Sequence, residues 1–282
     1  MDNSIKVNER HASHPVDFRS YDTQRLREEF LVDSVFEEES ICLTYSYYDR
    51  LIVGGAMPVH KELSLDATDQ LKSDFFCSRR EAGIINLGGN GVVAVDGVDY
   101  SLGYQEAIYI PMGAESIRLK SDDSSAPSLF YINSAPAHKA FEVKKITRED
   151  ANVMDLGSSE EANKRRIFQL IVSKTCDTCQ LQMGLTSLET GSVWNTMPPH
   201  VHGRRMEAYM YTELDDNQAI CHFMGDQENT RHIWMQNNQA VISPSWSIHS
   251  AVGTSNYTFI WGMAGENLDF TDMDGIKPAD LR

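Results

Sequence analysis

The sequence predicts a mainly β protein, with two similar β domains in tandem behind one short N-terminal helix. Three observations predict it. Short runs rich in Val, Ile, Tyr and Phe recur between residues 41 and 263, broken by Gly, Pro, Asn and Asp. Residues 92–100 place Asp96 and Gly97 between two strand-like runs, the pair that a type I′ hairpin turn requires. The halves also echo one another. Arg79-Arg80-Glu81 and Arg204-Arg205-Met206-Glu207 each open a strand run. A Pro-led turn then follows in each half, at Pro111 and Pro244, and after it an aromatic strand.

The elements follow in order. Asp22 or Thr23 can cap a helix whose residues 25–29 favour it and whose apolar face is Leu26, Phe30 and Leu31. Strands are expected at 41–48, 91–95, 107–110, 128–132, 208–212, 240–242 and 257–263. From Lys144 to Arg166 the composition turns to charged and small polar residues, the signature of a linker. The expected division is an arm and helix over 1–35, a first β domain over 36–145, a linker over 146–166 and a second β domain over 167–282. A nominal dinucleotide fingerprint, Gly89-x-Gly91-x-x-Ala94, is false, because a hairpin follows where a helix should begin.

Composition excludes several classes. The chain has 282 residues and a formal charge of −16, from 25 Lys+Arg against 41 Asp+Glu. That charge repels phosphate backbones, so nucleic acid is a poor partner, and an anionic substrate needs a local cation. No run approaches the roughly 18 apolar residues of a membrane helix. Residues 1–15 are polar without the apolar core of a secretory leader, which sets the cytoplasm as the expected place. Cys176 and Cys179 form a lone CxxC, short of the four ligands of a structural zinc, and read as reduced structural thiols.

Chemistry concentrates in the second half. Five of the nine histidines lie between His200 and His249. On a strand, His200 and His202 point to one face, so both imidazoles can reach one ion. Glu207 has the wrong parity for that same strand. Gly203-Arg204 can turn the chain and set Glu207 on the next one. His249 follows a Pro-led turn. Three imidazoles and one carboxylate with open positions suit catalytic Zn²⁺, Fe²⁺, Mn²⁺ or Ni²⁺.

The pattern His-x-His-x4-Glu with a later Pro-x4-His resembles the metal motifs of the cupin superfamily, which implies jelly-roll β-barrels. Some generic positions differ: Trp194 and Trp246 stand where glycine is usual, and Gly253 where asparagine is. In the first half Ser116 falls at the ligand histidine, and His60 and His138 stand alone. That half reads as a degenerate, metal-free copy.

A narrower resemblance rests on residues 52–58 (IVGGAMP), 79–88 (RREAGIINLG), 131–138 (YINSAPAH), 194–202 (WNTMPPHVH), 204–207 (RRME), 241–250 (VISPSWSIHS) and 259–267 (FIWGMAGEN). These blocks resemble the 5-keto-4-deoxyuronate isomerases (4-deoxy-L-threo-5-hexosulose-uronate ketol-isomerases). The resemblance implies one zinc per chain held by His200, His202, Glu207 and His249, a cytoplasmic homohexamer, and a role in pectin and uronate breakdown. The implied reaction moves a carbonyl from C1 to C2 of an open-chain uronate and needs no nicotinamide or flavin.

Strand parity puts Tyr209 near the ion, where it would donate to or orient a substrate oxygen. Arg205 shares that parity and is the first candidate for the uronate carboxylate, with Arg231 next. Two rival readings remain on the ligand set alone: an Fe²⁺ dioxygenase and a non-catalytic sugar-binding cupin.

Overall fold

A computed structural model of the chain describes residues 5–282. Its strands form where apolar residues alternate or run together, and the turns supply the punctuation. Asp96 and Gly97 both adopt positive φ, 49° and 81°. They close the hairpin between Gly91–Val95 and Val98–Leu102, with Val95 opposite Val98.

Two sheet pairs repeat one order. The first large sheet runs Ile5–Arg10, Ile41–Ser46, Ile52–Ala56, Phe130–Pro136, Arg80–Asn86, Ala107–Ile110, Lys144–Ile146. The second runs Asn152–Leu156, Arg165–Ile171, Gln182–Leu188, Thr258–Gly265, Arg205–Thr212, Ala240–Ser243, Leu31–Val32. Each faces a four-stranded sheet. One runs Leu63–Ser64, Ile117–Ser121, Gly91–Val95, Val98–Leu102; the other runs Trp194–Asn195, Ser250–Gly253, Ile220–Asp226, Asn229–Met235. A two-stranded piece, His200–Val201 with Asp274–Gly275, stands apart from both pairs.

Three apolar cores result. Ile84, Ile108, Leu119 and Phe130 fill the space between the sheets of the first half. Tyr209, Tyr211, Met224 and Phe259 do so in the second. Tyr131, Met183, Ala208 and Ile260 lie in the third, between the outer faces of the two large sheets. Contact there is close, since a Cβ at Gly262 would collide with Asn133 Oδ1.

Glu81 fastens the same junction. Its side chain is fully buried, and its carboxylate accepts the backbone N–H groups of Cys179 (2.7 Å), Gln180 (2.8 Å) and Leu181 (2.8 Å). Tyr109 Oη donates to it as well, at 2.8 Å. Four donors on one carboxylate compensate the cost of burying its charge.

The N-terminal segment differs from a simple arm. Residues Ile5–Arg10 form a strand parallel to Ile41–Ser46, and Pro15–Phe18 adds a helical turn. The expected helix spans Thr23–Phe30, and Asp22 caps it by accepting from Arg25 N at 2.9 Å. Phe18, Leu26 and Phe30 insert into the core of the second half, and Leu31–Val32 pairs with Ala240–Ser243. The segment expected as a linker is also partly ordered as sheet. Its Asn152–Leu156 pairs antiparallel with Arg165–Ile171 at the edge of the second large sheet.

Candidate metal centre

Three short segments bring the donors together. His200 sits on the strand His200–Val201, and His202 follows it. A turn then reverses the chain, with Arg205 N donating to His202 O at 3.1 Å, so that Glu207 returns on Arg205–Thr212. His249 arrives from the Pro244 turn, closed by Ser247 N to Pro244 O at 2.9 Å, one residue ahead of Ser250–Gly253.

His200 Nε2 lies 3.0 Å from both His202 Nε2 and His249 Nε2. Glu207 Oε2 lies 3.2 Å from His202 Nε2 and 2.8 Å from His249 Nε2. All four donor atoms fall within 4.8 Å of one another. Metal–donor bonds of about 2.0–2.1 Å at tetrahedral angles give donor separations of about 3.3 Å, so the set fits one divalent cation. The cluster could hold a metal ion.

The electrostatics agree with that role. Burial, followed by His249 and His202, pushes His200 down to about 2, so its imidazole is neutral and offers a lone pair. For Glu207, burial acts upwards. The neighbouring charge of His249 and hydrogen bonds from His202 and His249 outweigh it and hold the carboxyl well below the usual range. His202 Nδ1 lies 2.9 Å from Asp272 O and 3.0 Å from Arg205 Nη2, contacts that fix the ring with Nε2 turned to the centre.

Asp272 belongs to a strap, residues 267–276, that crosses the mouth of the second half. Arg204 pairs with the Asp272 carboxylate (Nε to Oδ2, 2.6 Å), and Asn267 Nδ2 donates to it at 2.6 Å. Arg205 also serves this strap. It is fully buried, and its guanidinium donates to Asp269 O and, at 3.2 Å, to Asp272 O. The parity expected of it is correct, but the carbonyls of the strap capture the side chain and keep it out of the adjoining cavity. Arg231 is also elsewhere, donating to Arg19 O at 2.6 Å.

The cavity beside the donors measures about 210 Å³. Ile167, Phe259, Trp261, Met263, Phe270 and Met273 make its apolar wall, and Thr186, Thr196 and Tyr209 its polar points. Arg165 is the only Lys or Arg among its lining residues, held by Nη1 to Asn163 O at 2.9 Å. Sequence reasoning missed Arg165, Thr196 and the strap. Arg165 opens a strand at the edge of the stretch read as linker, and the strap has no periodicity to signal it.

Tyr209 is brought to the site as expected. Its hydroxyl lies 3.0 Å from Thr196 Oγ1 and its ring centroid 5.4 Å from that of His249. Burial, then the charge of Glu207, raises its pKa well above the usual value, so the phenol keeps its proton.

The substituted cupin positions have structural uses. Trp246 packs edge-on against Phe18 (5.0 Å) and braces the turn before His249. Trp194 stacks on Phe223 at 6.0 Å. All five cysteines are unpaired, and burial pushes the Cys176 thiol up to about 12, unlike an activated redox pair.

Comparison with known proteins agrees with this geometry. Residues 31–276 match the model of the KduI/IolB family. A 4-deoxy-L-threo-5-hexosulose-uronate ketol-isomerase of Formosa agariphila is 56% identical over 279 residues, covering 99% of this chain and 100% of the relative. One from Dickeya dadantii is 51% identical, covering 97% and 99%. Among solved structures, an IolB-like protein of Salmonella typhimurium superposes with a TM-score of 0.65 at 12% identity, over 80% of this chain and 87% of that one. Bacillus subtilis oxalate decarboxylase, described with Mn(II) centres, superposes with a TM-score of 0.54 at 9% identity, over 80% and 71%. The last two establish a cupin-like fold alone. With the family model spanning most of the chain and these relatives matching nearly all of it, the chain belongs to the KduI/IolB family.

Proposed function

We propose that this isomerase converts 4-deoxy-L-threo-5-hexosulose uronate to 3-deoxy-D-glycero-2,5-hexodiulosonate, with one zinc ion per chain held by His200, His202, Glu207 and His249. The observation that carries the reading is the four-donor cluster opening onto a small cavity with one cation, Arg165, in its lining.

A divalent cation held by His200, His202, Glu207 and His249 would supply Lewis acidity to the substrate's carbonyl end. The chain's own residues do the rest. Arg165 takes the uronate carboxylate, the role the sequence suggested for Arg205, and sets the reacting end toward the donors. Tyr209, protonated and anchored by Thr196, donates a hydrogen bond to the substrate oxygen that gains charge when C2 loses its proton. That proton, or one from solvent, returns to C1, and the C2 hydroxyl proton passes to the C1 oxygen, so nothing is oxidised or reduced overall. The wall of Trp261, Phe270 and Met273 limits water around the intermediate.

The two sheet pairs support reading the chain as two tandem jelly-roll domains. None of the described helices is long and apolar enough to cross a membrane. We take the protein to be a cytoplasmic homohexamer acting in pectin breakdown, with light scattering as the check on assembly.

The test is incubation with unsaturated-uronate breakdown products, following loss of the aldehyde proton by NMR with and without chelator, alongside metal analysis. Chelator-sensitive aldehyde loss with about one zinc per chain is expected. Oxygen uptake with iron bound, or isomerisation that chelator leaves untouched, would overturn the proposal.

A further inference from the structure

The first half has its own cavity at the corresponding mouth, of about 210 Å³, lined by Tyr45, Arg50, Gln70, Ser73, Arg79 and Arg80, with Leu71 and Pro136. Three arginines line one small space in a chain with 16 more acids than bases. None of them joins an ion pair within 4.0 Å among the described residues. Like charges gathered without counter-charge oppose one another, and an anion relieves that cost.

Arg80 is the floor. It is only 5% exposed, and Nε donates to Ser134 Oγ at 3.1 Å while Nη2 donates to Ser134 O and Arg50 O, both at 2.6 Å. Its Nη1 donates to none of the described residues. Arg79 is tethered through Nη2 to Leu71 O (2.6 Å) and Lys72 O (2.9 Å), leaving its Nε and Nη1 unused among the described residues. Arg50 lies over the Tyr47 ring at 4.8 Å. Glu9 reaches the lining through Gln70 Nε2 (3.0 Å) and also accepts from Tyr47 Oη (2.8 Å), and the charge of Glu81, next in sequence, acts on Arg80. The guanidiniums are therefore held in place by backbone carbonyls and an aromatic face, with donors to spare.

We propose that this mouth is a second binding site, for the carboxylate or phosphoryl group of a small molecule, with Arg50, Arg79 and Arg80 as its donors. Planar guanidiniums match either oxyanion with paired hydrogen bonds, and the apolar Leu71 and Pro136 sides suit a short carbon chain. The site is separate from the isomerase cavity, whose cation is Arg165.

Calorimetric titration of the metal-loaded protein with inorganic phosphate, and separately with D-galacturonate, tests the idea. In the Arg165→Met variant, whose isomerase cavity has lost its cation, one saturable site per chain is expected for at least one anion, with neutral galactose silent; the tighter anion identifies the source of the oxyanion. Binding should survive Arg165→Met and weaken at least about tenfold in Arg50→Gln/Arg79→Gln, which leaves isomerase turnover unchanged. Three results would overturn the proposal. They are no saturable binding of either anion, binding lost in Arg165→Met but kept in the double variant, and a double variant that changes the assembly mass while anion binding stays intact.

Discussion

The two halves share a sheet order and differ at equivalent points. Arg80 and Arg205 each open the fifth of the seven strands of a large sheet, and each partner strand ends just before a Pro-led turn, at Ile110 and Ser243. In that register Ala82 stands where Glu207 does, and Ile84 where Tyr209 does. Small and branched apolar residues close the interior of the first half with a dry core. In the second half, polar residues at the same sites turn the interior into a donor cluster and a cavity. The mouths diverge too. The strap 267–276 covers the second and consumes Arg205, whereas Arg80 still has a free donor at the first. One sheet order thus carries different contents: Glu207 and Tyr209 mark the difference on this strand, and His200, His202 and His249 complete the cluster from elsewhere.

The largest way to break this comparison is to remove a donor. His249→Ala should cut turnover by at least about 10³-fold, because several kcal/mol of charge stabilisation leave with the ion. Metal per chain should fall to near zero by mass spectrometry while far-UV circular dichroism keeps its β signal; an unfolded variant would make the cluster structural. Next comes the junction. Glu81→Ala strands three backbone N–H groups, that of Leu181 buried and those of Cys179 and Gln180 partly so, and should cost about 3 kcal/mol in urea unfolding, with turnover per folded molecule unchanged.

Two arginine variants sharpen the contrast. Arg165→Met should lower kcat/KM about 10- to 100-fold on the uronate and far less on an analogue without the carboxylate. Equal losses on both would move the carboxylate partner elsewhere. Arg205→Met is the mildest for catalysis: metal affinity, measured by chelator competition, should drop about tenfold, with KM of the loaded enzyme unchanged.

The donor set was legible because it is local: His200, His202 and Glu207 lie within one turn, and the Pro244 turn marks His249. The hairpin at Asp96-Gly97 was legible for a similar reason, since only a few residues tolerate its backbone. Arg205 shows where local rules stop. Parity gives the direction of a Cβ, but a long side chain at a strand end goes to whichever acceptors come within reach, here carbonyls more than sixty residues away. Arg165 and the strap were invisible for the same reason, as their place depends on how the mouth closes. The reach of residues 15–32 into the second half left no periodic trace either, because an amphipathic helix declares that it has a buried face without saying against what.

That reach has a consequence for how the chain folds. Leu31 pairs with Val241 across about 210 residues, and Phe18 and Phe30 support Trp246 in the turn before His249. The earliest of these residues to leave the ribosome must wait for the latest, with the whole first half threaded between them. Such pairing raises contact order and defers the closure entropy to the end, so the second half should complete slowly and after the first. Until residues 240–249 arrive, Phe18, Leu26 and Phe30 have no core to enter, which makes the nascent N-terminal helix the segment most in need of shielding from other chains.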